Sequence, residues 1–480
     1  MKNKILLIYP KTGVGVLKPQ SPLSLLTLCP GLISQGFQPV IVDTRLAGTD
    51  FKSVIKQHLA EALFVGLSTM TGQQIHHALE VAAWIRQIDP AMKLVWGGIH
   101  PSLLPEETIR HPLVDMVVVG EGEETIVELA QALSQGREPV EVRGLCYKNR
   151  QGEIVKHQPR PLLDLSRVAT PSWHLVNVDD YSEIGVQAGR GCPWRCRFCY
   201  NIQYNERRWR AKSVDQIMDE LQLLKRRYGV NQVTFYDDNF FSNPKRVREL
   251  AERMVAENLG IRWSTTCRAD YLAHYDDDFI DLLKRSGVHI LFVGSESGSP
   301  KVLKYISKDI TTDDIQGMAR TTRKHGLRVH TSFMLGFPVE NEEDRRLTYA
   351  MMDKIREIDP QIYITTTCIY TPYPGNEMFN DAVNAGFRPP SDLEGWSRFT
   401  FFECQLPWLK PRDRRRLESL AFITRFVFWH REIKERYLKW YYYPFYYPLR
   451  LSALLRWRLR WFAGAWEWKA FSRFVAHFSD

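Results

Sequence analysis

Gly189-Arg-Gly-Cys-Pro-Trp-Arg-Cys-Arg-Phe-Cys-Tyr-Asn201 places three cysteines, Cys192, Cys196 and Cys199, on one short loop. Three thiolates at this spacing can hold three irons of a [4Fe–4S] cluster, because soft sulfur suits iron–sulfur chemistry. The remaining iron then has no protein ligand, and an open position is what lets a catalytic metal meet its substrate. A structural zinc site calls for a fourth Cys or His at short spacing, and none follows Cys199 closely. A disulfide framework does not suit a chain of 480 residues with only eight Cys. Cys29, Cys146, Cys267, Cys368 and Cys404 are scattered and read as ordinary small buried residues.

Gly-Arg-Gly precedes the Cys-x-x-x-Cys-x-x-Cys run and an aromatic residue stands before its last Cys. In this the chain resembles the radical S-adenosylmethionine enzymes. The resemblance implies that the amino and carboxylate groups of S-adenosylmethionine chelate the open iron. It further implies that an electron from the cluster cleaves the sulfonium to release a 5′-deoxyadenosyl radical. Phe198 matches the position that lies near the adenine in that family.

Downstream of the loop, residues 181–385 repeat strand-plus-helix units. The apolar runs are 181–188, 232–236, 262–267, 289–293, 328–333 and 362–367. About six such units predict a partial (β/α) barrel, with function at the carboxyl ends of the strands. Those ends carry Asp238, Arg268, Glu296 and the Gly336 turn. By the resemblance, Asp238 and Glu296 hold the amino and ribose groups of S-adenosylmethionine and the Gly336 backbone meets the adenine. Arg268 pairs with a carboxylate, either the cofactor's or that of Asp270. Structural alternatives stand beside these readings: Asp238 as a helix cap, and Glu296 as a buried partner of Arg268.

Upstream, residues 1–150 alternate apolar strands with helical stretches, which predicts a doubly wound parallel sheet. The strands are expected at 4–9, 39–43, 63–68, 93–96 and 116–119. Ligands of such sheets bind beyond the carboxyl ends of the strands. There the chain has Ser68-Thr-Met-Thr71, Gly97-Gly-Ile-His-Pro101 and Gly120-Glu-Gly-Glu123. Taken together, and upstream of the cysteine loop, these resemble the cobalamin-binding domain of one large radical-enzyme subfamily. Ser68, Gly97, Gly98 and Gly120 are then expected along the lower side of the corrin and its nucleotide tail. An Asp-x-His-x-x-Gly loop, whose His would ligate cobalt, is missing after the first strand, where 11–18 reads Lys-Thr-Gly-Val-Gly-Val-Leu-Lys. Lower ligation by a His is not expected. His100 reads as a structural or tail-contacting residue, and His76 and His77 as ordinary helix residues. Residues 151–180, with Pro159, Pro161 and Pro171, read as a linker.

The final segment, 386–480, is a helical aromatic and basic region. Residues 401–480 hold 16 Lys+Arg against 7 Asp+Glu, so they account for the whole net charge of +9. They also hold half of the 14 Trp. No run there is apolar enough to cross a bilayer. Basic residues among Trp and Tyr suit peripheral contact with a membrane headgroup region. Nucleic acid is disfavoured, because aromatics in blocks exceed what base stacking needs. A helical cap packing its rings on the barrel is the plain alternative. The amino terminus reads as a first strand and not a signal peptide, so the cytosol is expected, with the inner face of the membrane as the variant.

The expectation is a cobalamin-dependent radical S-adenosylmethionine enzyme methylating an unactivated carbon of a bulky, apolar small molecule: a lipid, an isoprenoid or a tetrapyrrole. An unactivated C–H bond has no acidic proton, so general-base chemistry fails and a radical must abstract hydrogen. The cofactors are the [4Fe–4S] cluster, S-adenosylmethionine and cobalamin, with an electron donor as partner. A non-methylating radical cyclase or oxygenating enzyme is the first alternative, and a cobalamin or iron–sulfur sensor the second.

Overall fold

The computed structural model describes residues 2–13, 19–46, 48, 50–365, 367–400, 406–428, 443–464, 466–467 and 469–470. Strands β1 (Lys4–Tyr9), β2 (Gln38–Asp43), β3 (Ala62–Ser68), β4 (Leu94–Gly97) and β5 (Met116–Val118) pair in parallel in the order β2-β1-β3-β4-β5. Successive side chains of a strand point to opposite faces. Leu6, Ile8, Val65 and Leu67 enter one apolar core, while Ile5, Leu7, Phe64 and Val95 enter another. Both faces of the sheet are therefore covered, the doubly wound arrangement that such unbroken apolar runs predict.

Two antiparallel strands, β6 (Leu145–Lys148) and β7 (Ile154–Lys156), extend the edge beyond β5. The first sheet thus runs to Lys156, past the boundary expected at 150. The polar turn 149–152 closes a hairpin, with the Asn149 N–H donating to the Glu153 carbonyl at 2.9 Å. Such a turn has the same composition whether the chain leaves the sheet or doubles back.

β8 (Ile184–Val186), β11 (Gln232–Phe235), β12 (Arg262–Cys267), β13 (Val288–Glu296), β14 (Val329–Leu335) and β15 (Tyr363–Ile364) lie side by side, all parallel. Helices Pro244–Ala256, Asp277–Arg285, Thr312–His325 and Glu342–Ile358 connect them. Asn243, Asp276, Thr311 and Asn341 each accept a backbone N–H at the start of one of these helices. This is the partial (β/α) barrel. Between β8 and β11, β9 (Gly189–Arg190) and β10 (Arg210–Ala211) form a short antiparallel pair that frames the cysteine loop. β16 (Cys368–Ile369) pairs with β14.

The two units are tied together early in the chain. The Ser21 N–H donates to the Glu183 carbonyl at 2.9 Å, and the Gly185 N–H donates to Ser21 Oγ at 2.9 Å. Of the cysteines expected to be buried, Cys29, Cys146 and Cys267 are. Cys368 is exposed, a correction that follows from the two-residue alternation of β16, where its neighbour Ile369 takes the core side. Cys404 lies outside the described residues, as do 14–18, 429–442 and 471–480.

The tail is helical over Pro411–Phe428 and Tyr443–Arg458. It packs rings on the barrel: Trp457 and Phe462 meet Tyr349, and Trp457 Nε1 donates to Asp353 at 2.7 Å. Among the described residues no helix is long and apolar enough to cross a membrane.

Candidate active site

Cys192, Cys196 and Cys199 are half-buried on a loop held from several sides. The Gly191 N–H donates to Asp238 Oδ2 at 2.8 Å, and the Tyr200 hydroxyl donates to Oδ1 of the same carboxylate at 3.3 Å. The Asn239 amide points at Cys192 Sγ from 3.6 Å. Trp194 donates through Nε1 to the Tyr271 hydroxyl at 2.9 Å, and the Arg268 guanidinium lies 3.6 Å from the centre of its ring. Asp238 and Asn239 follow β11, and Arg268 follows β12. The carboxyl ends of adjacent strands therefore fix the loop.

The sulfurs test the choice of metal. A zinc ion bound at about 2.3 Å per sulfur would draw ligand atoms within ~4.6 Å of one another. Among the described residues only His76, His77 and Glu80 gather three such atoms within 4.8 Å, and the three cysteines do not. The latter are nevertheless close enough for Cys192 and Cys196 to act electrostatically on Cys199. Three cysteines on one loop can each give one thiolate to a separate iron of a cluster. Burial pushes the Cys199 thiol up to about 12. Burial also raises Cys196, with Lys308 and Arg268 pulling the other way. Cations beside a thiolate stabilise its charge.

Beside this loop lies a buried ion pair. Lys308 Nζ donates to Glu296 Oε1 at 2.9 Å, and both side chains are nearly enclosed. Burial opposes the charge of Lys308, yet Glu296 and Cys196 hold it above the ordinary lysine range. Glu296, Ser307 and Asp309 all have left-handed backbone, with φ of 58°, 48° and 51°. Three non-glycine residues in that region around one ion pair mark backbone strain. Arg268 binds Asp270 at 2.9 Å and the carbonyls of Lys308 and Asp309 at 3.0 Å. Asp270, one of the two partners expected for Arg268, is bonded to it here. Glu296 pairs with Lys308 and not with Arg268. Asp238 braces the cysteine loop and caps no helix; Asn243 does that. The Phe198 ring has Lys308 Nζ at 6.0 Å from its centre. Cys368, exposed in a recess, has its thiol raised by surrounding protein and by Glu296, which places it at the same strand ends.

The Gly336 turn is occupied from within. Its N–H donates to Glu340 Oε2 at 2.6 Å and its carbonyl accepts from Trp408 Nε1 at 2.9 Å. The N–H and the carbonyl of Gly336 are thus both bonded within the chain.

Ser68, Gly97, Gly98 and Gly120 all line one cavity of about 450 Å³ between the first sheet and the cysteine loop. Met70, Arg190, Tyr200, Tyr204 and Asp238 also line it. The size falls within the usual range for a cofactor pocket, ~300–1,000 Å³. Gly98 has φ of 98°, and a Cβ there would stand 2.6 Å from the Thr69 carbonyl, so only glycine lets β4 turn away at this point. Gly120, with φ of 79°, faces open space. Its N–H donates to Ser102 Oγ at 2.9 Å and its carbonyl accepts from Tyr204. His100 is fully buried, with Nδ1 2.9 Å from Thr71 Oγ1. Burial holds its pKa down to about 4. Its ring packs edge-on against Trp396. His76 and His77 lie on a helix with Glu80.

Arg190 joins the two halves of this cavity. It donates to Glu121 at 2.9 Å and to Glu123 at 2.5 Å, and Arg210 meets Glu121 at 2.8 Å. Sequence reasoning marked the glycines of 120–123 and passed over the role of Glu121 and Glu123 beside them. It also missed Lys308, Tyr200 and Tyr204. The two acids two residues apart in a strand-end loop were a visible signal; Lys308 left none.

A model of the radical S-adenosylmethionine superfamily matches residues 186–352, and a model of the B12 binding domain matches residues 16–130. An uncharacterised methyltransferase of Pyrococcus horikoshii is 34% identical over 396 residues, covering 79% of this chain and 83% of that one. The anaerobic magnesium-protoporphyrin IX monomethyl ester cyclase of a Synechocystis species is 26% identical over 368 residues, covering 73% of this chain and 72% of its own. The fold is shared with the radical S-adenosylmethionine methyltransferase TsrM of Kitasatospora setae, solved with cobalamin and a [4Fe–4S] cluster. Its TM-score is 0.66 at 22% identity, over 80% of this chain and 75% of that one. It is shared too with the cobalamin-dependent enzyme OxsB, at TM-score 0.71 and 16% identity over 99% and 80% of the two chains. Cysteine loop, barrel and cavity thus agree with the matched models, and the chain belongs to the cobalamin-dependent radical S-adenosylmethionine enzymes, whose cofactors are a [4Fe–4S] cluster, S-adenosylmethionine and cobalamin.

Proposed function

We propose that this enzyme methylates an unactivated carbon of a bulky, apolar small molecule. The observation that carries the reading is the shared cavity. The strand ends that would receive a corrin and the loop that would hold the cluster enclose one space, drawn together by Arg190. When bound, the three cofactors supply the electron, the hydrogen-abstracting radical and the methyl group, and the protein orients them and excludes water.

Within that scheme Cys192, Cys196 and Cys199 hold the cluster. Lys308, a buried cation beside Cys196 and paired with Glu296, would hold the S-adenosylmethionine carboxylate, and Glu296 would receive its amino or ribose groups. Phe198 would lie along the adenine. Asp238 keeps the cysteine loop in place through Gly191 and Tyr200. Ser68, Gly97, Gly98 and Gly120 border the corrin and its tail. The aromatic, basic composition of 401–480 favours a lipid, isoprenoid or tetrapyrrole substrate and contact with the inner face of a membrane.

Anaerobically reconstituted protein, given cobalamin, a reductant and S-adenosylmethionine, is expected to form both S-adenosylhomocysteine and 5′-deoxyadenosine. The former reports methyl transfer to cobalt, the latter the radical step. Deoxyadenosine alone would favour a cyclase or oxygenating enzyme. Neither product, with cofactors bound, would leave a sensor. Cys192→Ala, Cys196→Ala or Cys199→Ala should lose iron and all deoxyadenosine. Lys308→Gln, which keeps a donor for Glu296, should weaken S-adenosylmethionine binding about tenfold, the worth of one charge-assisted bond; unchanged affinity by equilibrium dialysis removes Lys308 from the site.

A further inference from the structure

We infer that the outward face of the Tyr443–Arg458 helix is a docking surface for an anionic bilayer. This narrows the membrane contact proposed above to one face of one helix, and it is independent of methyl transfer. The helix has two unlike sides. Tyr446, Leu449, Ala453 and Trp457 are buried against the barrel and the Pro411–Phe428 helix. On the other side Tyr447, Leu451, Leu455 and Leu459 follow one another at steps of four residues, a single ridge on a helix. Their exposures run from 40% to 70%, and farther along the chain Trp461 and Trp466 are exposed at 56% and 48%. Large apolar residues exposed in a row, and not scattered singly, mark an interaction surface.

The charge beside the ridge decides the occupant. Residues 443–464 contain no Asp or Glu and four Arg. Two of these serve the fold: Arg456 is buried on Glu467, and Arg460 binds Asp353. Arg458 is exposed on the ridge side. Three residues on along the chain, Trp461 lines a groove of about 540 Å³ with Arg412, Arg415, Arg416, Phe422 and a single acid, Glu418. Arg416 has Glu342 at the edge of ion-pair reach, at 3.8 Å. An apolar ridge with indole rings and a fringe of guanidinium groups matches the acyl boundary and the phosphates of an anionic leaflet. The helix is 16 residues long and too polar to span, so it would lie in the plane of the surface.

The test is co-sedimentation of the full chain with vesicles of phosphatidylcholine, alone or with about 30% phosphatidylglycerol, a charge that attracts basic segments. Binding to the anionic vesicles, and its loss at about 0.5 M salt where surface charge is screened, is expected. Leu451→Ser/Leu455→Ser/Leu459→Ser should weaken binding at least about tenfold with unchanged circular dichroism and iron loading, since each buried apolar side chain adds to partitioning. Arg412→Gln/Arg415→Gln/Arg458→Gln should remove the preference for phosphatidylglycerol. Equal binding by the serine variant, or no binding by the wild type, overturns the inference. So does a wild-type dimer that the serine substitutions convert to monomer by light scattering, because the ridge would then seat a second copy of this chain. None of these outcomes touches the product test of methyl transfer.

Discussion

Glu340 sits under the Gly336 turn with one carboxylate oxygen on the glycine N–H and the other without a partner. Burial raises its pKa from 4.5 to about 7, against the pull of that N–H and of Arg345. The folded state therefore binds this proton more tightly than the unfolded one. The stability it contributes is full below pH ~4.5 and is lost as pH rises through about 7, a change of a few kcal/mol. Glu340→Gln keeps an acceptor for Gly336 and cannot ionise. Its melting temperature should gain on the wild type steadily between pH 5 and 8; parallel melting curves across that range would contradict this. Residues of this kind differ in how readily a sequence reveals them. Cys192, Cys196 and Cys199 are legible because their spacing is local, all on one loop. Lys308 is not, since what distinguishes it from other lysines is burial beside Cys196, which lies on a distant loop. Cys368 was misjudged for the same reason: its environment, and not its type, sets its exposure.

At the level of elements, the loop after β5 and the strand β9 act as one piece. Arg190 is half-buried between Glu121 and Glu123, and Glu121 also accepts the Leu163 N–H at 2.7 Å and an Arg210 bond. Removing one partner of a buried charge set costs about 3–5 kcal/mol, because the other charge is left unpaired. Arg190→Gln should lower stability by an amount of that order and loosen cobalamin, followed by absorbance titration. A double-mutant cycle of Arg190→Gln with Glu123→Gln should show coupling above about 1 kcal/mol; additive effects would mean that the pair does not join the loops. The strands themselves were readable from runs of apolar residues. The hairpin of β6 and β7 was not, because period and composition look alike at an edge and in a linker.

For the molecule as a whole, Trp396 is the point where three regions meet. It is fully buried, bonds Glu107 through Nε1, and packs on His100 of the first unit and on Phe379 and Phe399 near the barrel. Trp396→Ala should cost about 3–5 kcal/mol through the cavity and the stranded carboxylate. Because the residue spans both units, heating should reveal a separate early transition for residues 2–156 by calorimetry; a single transition shifted by less than a degree would deny it that role. Nothing in the sequence pairs Trp396 with His100, which lie far apart along the chain. Alternation of apolar runs and the spacing of three cysteines, both properties of neighbouring residues, were enough to determine two α/β units and a cluster loop. Which faces meet, which buried cation stands beside Cys196, and which ridge of the last described helix stays in solvent were decided by tertiary packing, because those contacts join residues that chain order keeps apart and only burial brings together.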